Sequence, residues 1–375
     1  IDNFFKKETH RSLSHVTVGK LFSIFFGLLT ITLMARSFEV SDFGLISLYL
    51  SLNEVLNIIS LPGFNQISQK SIHHKNYSFI RRVYLLSFSS SLTLGTILIV
   101  LNYFFDFSYF FNNPQTEKVI IFSILFIIIK SFDKSDTILS SLKEFKKLAK
   151  YNILSSLVKF ISLGLSSFIL QDIQQIIIIH CSLQLLLSIY SLKTVHYSLP
   201  ANPTEYKGQL NFQKEGFIMT LLISFNILVG NIDRLILFNL SPITLGIYQA
   251  GISYPEKLRE VVKTFLSTIT NTWLSYGNQE FIKRTNKRRT LIVAAIFISG
   301  ITLYLSPNVY IPMLLGDKYS KAIPIASLFS FVIILKSVNF FLQTRDIVFE
   351  SIMSHQFKII SYRVIYLVIL YLLIN

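Results

Sequence analysis

Long apolar runs, separated by short polar segments, are the feature that most constrains what this chain can fold into. A helix needs about 20 consecutive apolar residues to cross a bilayer. Eleven candidate spans cover 17–36, 44–66, 84–104, 118–142, 152–170, 173–192, 215–238, 245–270, 290–312, 322–344 and 359–374. Only 15% of the residues are charged, whereas soluble domains carry about 25%. We therefore predict an all-α polytopic membrane protein.

The basic residues are distributed unevenly, and their distribution predicts the orientation of the chain. Of 35 Lys and Arg residues, 22 lie in the N-terminal segment and in every second connection, whereas the other connections hold only Lys118, Lys318 and Lys321. Cytoplasmic loops are rich in Lys and Arg, so we expect a cytoplasmic N-terminus. The same distribution accounts for much of the net charge of +15, and we expect no nucleic acid partner.

A weak internal repeat predicts two lobes of six spans each. We place the N-terminal lobe at 1–213, including a cytoplasmic linker at 193–213, and the C-terminal lobe at 214–375. Duplicated halves are a common plan among transporters. The pairs aligned by the repeat are Gly44 with Gly246, Glu54 with Glu256, and Lys130 with Lys336.

Ten basic and six acidic residues lie within the predicted spans. A charge at the bilayer centre costs roughly 2.5–3.5 kcal/mol on insertion scales, so mid-span charges must face one another or a hydrated cavity. The surplus of cations suits an anionic cargo, because Lys and Arg bind phosphate well. The predicted substrate-binding residues are Lys130, Lys159, Lys257, Arg259, Lys263 and Lys336. The residues predicted to couple an ion or to pair with these cations are Glu54, Asp133, Asp233, Glu256 and Glu260.

Ion pairs that only fix helix packing are the alternative interpretation of these charges. Helical spacing predicts that Lys130 and Lys134 share one face of span 4, with local pairing to Asp133. By the same reasoning Glu256 would pair with Lys257 or Arg259. Lys20 and Arg36, near the ends of the first span, can extend their charges to the interfaces.

The sequence holds no motif that indicates an enzyme or a cofactor. Cys181 is the single cysteine, which excludes an intramolecular disulfide and a Cys-based metal site, and the seven histidines lack metal-ligand spacing. There is no P-loop, GxSxG or GxGxxG motif. The longest outer loop, about 105–117, is too short for a catalytic domain. We expect a protein that is not an enzyme and uses no cofactor or metal.

Several short motifs, taken in order, carry a family resemblance. They are GKLF at 19–22, ARS at 35–37, DFG at 42–44, Gly63, Asp233, LGIYQA at 245–250 and LLGDKYSKA at 314–322. Over nearly its whole length the chain resembles the Wzx-type polysaccharide flippases of the MOP exporter superfamily, which are relatives of MurJ and the MATE transporters.

The resemblance implies a MATE/MurJ-like fold in the bacterial inner membrane. Twelve spans are expected; the offset of the internal repeat places the last at roughly 375–398, so we expect this span to be absent from the sequence, which stops at Asn375. The resemblance also implies transport of undecaprenyl-diphosphate-linked O-antigen, capsule or lipopolysaccharide repeat units to the outer leaflet. A polysaccharide polymerase and a chain-length regulator are the partners that it implies. One alternative is a MATE-like antiporter of organic cations, which the net basic interior disfavours. The other is a membrane glycosyltransferase or polymerase, which the short outer loops disfavour.

Overall fold

The computed structural model describes residues 2–105, 115–170, 172–200, 212–274 and 278–347, without the side chains of 2–15, of most of 265–291 and of 338–347. Within these ranges the chain forms α-helices and no strand, as predicted. The helices are α1 (Asp2–Ser37), α2 (Val40–Leu56), α3 (Gly63–His73), α4 (Ser78–Phe105), α5 (Gln115–Lys130), α6 (Ser135–Ser141), α7 (Phe145–Lys159), α8 (Ser166–Leu170), α9 (Ile173–His196), α10 (Phe212–Leu240), α11 (Pro242–Leu274), α12 (Asn278–Leu305), α13 (Pro307–Tyr310) and α14 (Ile323–Ile347).

Four short segments of different helical pitch join some of these helices. Asn57–Ser60 and Asp317–Ala322 are 3₁₀-helical, and Phe160–Leu165 and Ile311–Leu315 are π-helical. The first π segment connects α7 to α8, so that the chain from 145 to 170 crosses as one long helix. Such π segments often occur at functional sites, and this one begins directly after Lys159.

Six described segments are long and apolar enough to cross a membrane, and they coincide with predicted spans 1, 2, 3, 5, 6 and 7. They are Val16–Ser37, Val40–Ser60, Ser78–Phe105, Phe145–Leu170, Ile173–His196 and Phe212–Leu240. The bent pair Ile292–Leu305 and Pro307–Leu315 forms a seventh candidate, with an angle of 46°. The chain is a multi-pass α-helical membrane protein. Predicted span 11 lies outside the described residues.

Predicted span 4 is not one continuous helix, so the prediction of a single stripe along 118–142 is wrong. Helix α5 ends at Lys130, whose carbonyl accepts the backbone N–H of Asp133 at 2.8 Å, and α6 begins at Ser135. Lys134 lies in the turn between α5 and α6, so helical spacing does not set its position relative to Lys130. Polar side chains in this turn bond to neighbouring helices instead of solvent, as described below, and those helices are distant in sequence.

Spans 2 and 9 are also interrupted, in both cases beside a proline. After the 3₁₀ segment, Leu61 adopts a left-handed conformation (φ 56°) and α3 begins at Gly63. Helix α12 ends at Leu305, and Pro307 starts α13. Proline has no backbone N–H to donate and fixes its own φ angle, so it fits the first turn of a helix better than its interior.

The two halves of the chain cross closely where α2 meets α11. A Cβ atom on Gly44 would lie 2.0 Å from the carbonyl oxygen of Pro242, and one on Gly246 would lie 2.1 Å from that of Val40. Each glycine therefore touches the residue that stands four positions before its counterpart. Such a symmetric crossing is what an internal repeat produces, although the lobe boundaries stay a prediction.

A second contact between the halves lies where α3 meets α10. Gly63 faces the backbone of Thr220, whose hydroxyl accepts the Gly63 N–H at 3.2 Å, and Phe64 packs on Gly216. Nearby, Lys70 and Glu215 form a salt bridge of 2.7 Å. We call this side of the molecule the basic end, because it carries Lys70 and the cations of the predicted cytoplasmic loops. The opposite end carries Asp42, Lys118 and Lys318.

Candidate functional site

Lys159 is the centre of a charged cluster that contains residues from both halves of the chain. It is the last residue of α7, and its side chain is exposed. Its ammonium interacts electrostatically with Lys130 and Glu54 of the N-terminal half and with Lys257 and Glu260 of the C-terminal half. Lys159 thus interacts with one further ammonium group from each half, which favours binding of an anion between the halves.

Helix α1 contains the small residue that lets α11 approach this cluster. A Cβ atom on Gly27 would lie 3.3 Å from Cε of Lys257, so a larger residue would press on the lysine side chain. Lys257 also pairs with Glu260 at 3.0 Å, one turn further along α11. The predicted pairing of Lys257 with Glu256 is therefore wrong, because Glu256 has a different partner.

That partner is Arg234, which joins Glu256 to Glu54 across the two halves. Its Nη2 lies 3.2 Å from Glu256 Oε2, and its Nη1 lies 3.6 Å from Glu54 Oε2 and donates to Asn231 Oδ1 at 3.0 Å. The guanidinium side chain is 13% exposed, compared with 62% for Glu54 and 29% for Glu256. The two glutamates that the repeat aligns thus bind one arginine, and we call these three residues the arginine bridge.

Arg234 is the main residue that sequence reasoning missed. It counted among the ten cations within the spans but received no role there. In the structure Asp233 accepts the Tyr248 hydroxyl and, at 2.9 Å, the backbone N–H of Arg234. Asp233 therefore positions α10 and α11, and the Arg234 side chain is left to bridge the two glutamates.

Asp133 accepts hydrogen bonds within the N-terminal half, and Lys130, its predicted partner, is not one of the donors. Its carboxylate accepts the Tyr151 hydroxyl and, at 3.0 Å, the Ser191 hydroxyl. Ser191 in turn lies 2.6 Å from the hydroxyl of Ser135. Lys134 is 5% exposed, and its ammonium lies 3.5 Å from the carbonyl oxygen of Ser60. This network ties the turn after α5 to α7 and α9.

The other predicted cations lie on α11 and α14. Arg259 is partly buried and Lys263 is exposed, and these two interact electrostatically with each other; Lys263 also interacts with Glu260 and with Lys20 of α1. These contacts place both residues along the same helix as Lys257, towards the basic end. Lys336 is exposed on α14, and its membership of the cluster stays a prediction.

A buried histidine that the sequence did not single out lines the cluster from behind. His180 of α9 is buried, stacks on Phe126 at 4.9 Å between ring centroids, and places Nδ1 2.8 Å from the Ser162 hydroxyl. It interacts electrostatically with Lys159 and Lys130. His180 therefore contributes a buried, hydrogen-bonded ring next to the cluster.

At the opposite end the halves are joined by an apolar cluster and by reciprocal hydrogen bonds. Arg36 at the end of α1 donates to the carbonyl oxygens of Met313 and Leu314, the latter at 3.0 Å, and Lys318 donates to those of Phe38 and Arg36, the latter at 3.3 Å. Each cation therefore caps the carbonyls of the other segment. We call these contacts the carbonyl clasp. Arg36 was predicted to extend its charge to the membrane interface, but it also joins the two halves through these hydrogen bonds.

Apolar residues below the carbonyl clasp complete the closure. The hydroxyls of Thr32 and Tyr254 are hydrogen-bonded, and the Tyr254 ring lies 5.3 Å from that of Tyr310. The cluster also includes Met34, Phe38, Phe43, Ile46, Ala250, Ile311, Leu315, Tyr319 and Ala322, all buried. At the opposite end the halves are therefore in close apolar contact, whereas the Lys159 side chain is exposed.

Comparison with known proteins gives the family. A family model described as polysaccharide biosynthesis protein matches residues 33–324. The chain belongs to this family. The matched region contains Glu54, Lys159, Arg234 and Lys257, and thus the arginine bridge and the centre of the cluster. A search of curated proteins finds no match to this chain. As a polysaccharide biosynthesis protein with several membrane spans, the chain acts at a membrane. Its described part contains no group of three or more His, Cys, Asp or Glu side chains that could hold a metal ion.

Proposed function

We propose that this polysaccharide biosynthesis protein is a flippase for lipid-linked oligosaccharides. It moves undecaprenyl-diphosphate-linked repeat units of O-antigen, capsule or lipopolysaccharide from the cytoplasmic to the outer leaflet of the inner membrane. Its N-terminus and the basic end are cytoplasmic, and it makes and breaks no covalent bond. The observation that carries the proposal is the cation cluster around Lys159, to which both halves of the chain contribute.

A diphosphate would be stabilised at this cluster for an electrostatic reason. Lys130 and Lys257 each repel Lys159 when no anion is bound, and an anion between them offsets that repulsion. The ligand would at the same time connect α5 and α7 of one half with α11 of the other. Closure of the halves around the anion, followed by release of the carbonyl clasp at the opposite end, gives alternating access.

The geometry favours this anionic cargo over the organic cations of a MATE-like antiporter. The carboxylates nearest the cluster are already bound: Glu54 and Glu256 by Arg234, and Glu260 by Lys257. An organic cation entering here would be repelled by the ammonium groups of Lys130 and Lys159. A polysaccharide polymerase and a chain-length regulator are the partners that we propose would receive the product.

Reconstituted vesicles test the proposal directly. The purified chain is placed in liposomes with a fluorescent undecaprenyl-diphosphate disaccharide, and transfer between leaflets is followed by quenching from one side. We expect transfer by the wild type, loss in Lys159→Ala and Lys257→Ala, and retention in Lys159→Arg. Lys147→Ala is the matched control, because Lys147 lies in the first turn of α7, at the other end of the helix from Lys159, and pairs with Glu144 at 3.4 Å. Absence of transfer by the wild type, together with export of a cationic dye, would overturn the proposal.

A further inference from the structure

A cavity separate from the cation cluster lies at the opposite end, between the first turns of α2, α5 and α9. Its volume is about 330 Å³, within the range of about 300–1,000 Å³ that is typical of small-molecule sites. The lining residues are Asp42, Leu45, Gln115, Lys118, Val119, Phe122, Asp172, Ile173, Gln174 and Ile177. None of them takes part in the cluster around Lys159.

The lining combines the groups that recognise a hydroxylated ring. Leu45, Val119 and Ile177 form an apolar floor together with Phe122, and the polar groups stand around it. Lys118 donates to the amide oxygen of Gln174 at 3.2 Å, and Asp172 accepts the Gln174 N–H at 2.9 Å. One carboxylate oxygen of Asp172 and the amide oxygen of Gln174 are therefore already hydrogen-bonded, and the second Asp172 oxygen and the Gln174 amide nitrogen supply a further acceptor and a further donor in the lining.

The charge of the cavity distinguishes it from the cation cluster. Asp42 and Asp172 outnumber Lys118, so the lining is net negative, whereas the surroundings of Lys159 are net positive. A phosphate or a sugar acid would be repelled here. A neutral sugar presents hydroxyls that donate to carboxylates and accept from amide and ammonium groups, together with C–H faces that suit the apolar floor.

The cavity also lies next to a contact between the two halves. Asp42 interacts electrostatically with Tyr319, and the ring of its neighbour Phe43 meets that of Tyr319 at 5.6 Å between centroids. Tyr319 belongs to the 3₁₀ segment that carries Lys318 of the carbonyl clasp. A sugar leaving between the halves at this end would pass the cavity.

We propose that this cavity is a carbohydrate subsite that binds one neutral or N-acetylated sugar residue of the cargo after translocation. The subsite rests on the proposed function for its source of sugar, but its binding chemistry stands on the cavity alone. It gives the flippase a contact with the glycan that is remote from the diphosphate and selects against acidic sugars at that position.

Saturation-transfer NMR on the purified full chain in nanodiscs tests the subsite without any transport. The probes are methyl glucoside, methyl N-acetylglucosaminide and methyl glucuronide. We expect saturation transfer to the first two and none to the glucuronide, with binding at least about tenfold weaker in Asp42→Asn/Gln115→Ala, equal to about 1.4 kcal/mol. Asp317→Asn is the matched control, an exposed carboxylate at the same end outside the cavity. Gln115→Ala is also measured alone. It changes one exposed side chain of the lining, so it tests the cavity even if the double variant misfolds.

The possible outcomes separate the subsite from the proposed function. Equal transfer to all three probes, or unchanged binding in both cavity variants, would overturn the subsite, even if the vesicles transport lipid-linked sugar. Sugar binding that is lost in the cavity variants and kept in Asp317→Asn would support the subsite, even if the wild type fails to transport. Glucuronide binding stronger than glucoside binding would contradict the argument from charge.

Discussion

Arg234 of α10 reaches across to Glu54 of α2, with 3.6 Å between Nη1 and Oε2. The same guanidinium lies 3.2 Å from Glu256 of α11, so one side chain holds two carboxylates that the internal repeat aligns. Arg234 is nearly enclosed, whereas Glu54 is mostly exposed to solvent. Loss of the ion pairs should therefore cost more free energy for the buried arginine than for either glutamate.

We expect Arg234→Gln to lower the thermal stability of the purified protein, because it leaves two carboxylates beside each other. Adding Glu54→Gln should restore part of the loss, giving a coupling energy on the order of 1 kcal/mol, measured by thermal unfolding in detergent. Lys70→Gln is the control: its pair with Glu215 also joins the halves but is exposed, and exposed pairs contribute about 0–1 kcal/mol. Strictly additive effects of the two bridge substitutions would contradict the arrangement.

Lys159 and Lys134 should respond differently to removal of their charge. Lys159→Met should weaken binding of a diphosphate lipid and reduce the dependence of that binding on salt, because one exposed cation is lost. Lys134→Met should leave binding unchanged, since that ammonium is buried against Ser60 and neutral apolar replacements of buried charges are often tolerated. Fluorescence titration at two ionic strengths measures both. Equal losses would place Lys134 in the cluster after all.

The carbonyl clasp should control access from the opposite end. In a Cys181→Ala background, Thr32→Cys reports whether a membrane-impermeant thiol reagent reaches the closed contact. We expect labelling to rise roughly fivefold when Arg36→Ala and Lys318→Ala are combined, corresponding to about 1 kcal/mol for solvent-exposed charged hydrogen bonds. Lys321→Ala, exposed on the same 3₁₀ segment, should change nothing. Labelling that stays constant in the double variant would show that the apolar cluster alone closes this end.

Alanine at Gly44 or Gly246 should separate α2 from α11. A Cβ atom at either position would lie about 2 Å from a carbonyl oxygen of the facing helix, where a side chain cannot yield. We expect a large loss of folded protein by size-exclusion chromatography. Gly95→Ala should be far milder, because the nearest atoms, at 3.0 Å and beyond, belong to isoleucine side chains, which can adopt other rotamers. A normal yield of both helix-crossing variants would refute the close contact.

Removal of the Asp133 carboxylate should destabilise the protein without affecting the cation cluster. Asp133→Ala leaves the hydroxyls of Tyr151 and Ser191 without their acceptor, at a cost of about 1–3 kcal/mol for buried donors. Tyr151→Phe removes one of those donors and should cost less. Thermal unfolding measures the difference, and lipid binding serves as the control. A loss of lipid binding at full stability would instead assign Asp133 to the site.

The helical class and most of the spans were predictable, because they depend on local properties of the chain. Apolar runs such as 84–104 and 215–238 satisfy their own backbone hydrogen bonds as helices and tolerate lipid on most faces. The predicted limits therefore agree with Ser78–Phe105 and Phe212–Leu240 to within a few residues. The prediction for span 4 was wrong because hydropathy does not distinguish a continuous helix from one broken at a polar turn. Side chains of other helices supply the hydrogen-bond partners of that turn.

Sequence reasoning also identified most of the charges, but it paired them with neighbours along the chain. Lys257 did pair locally, with Glu260, since helical periodicity brings residues three apart to one face. Glu256 did not, because Arg234 approaches from another helix. Nothing in the spacing of either helix specifies that approach.

The sequence by itself determined that this chain is a multi-pass helical membrane protein with an excess of cations in its spans, because hydropathy and charge count are properties of residues. Only the tertiary structure decided which cations meet. Lys130, Lys159 and Lys257 belong to three helices and two halves, and the crossing of α2 with α11 at Gly44 and Gly246 brings those halves together. Electrostatic interaction depends on distance in space, and the fold sets that distance.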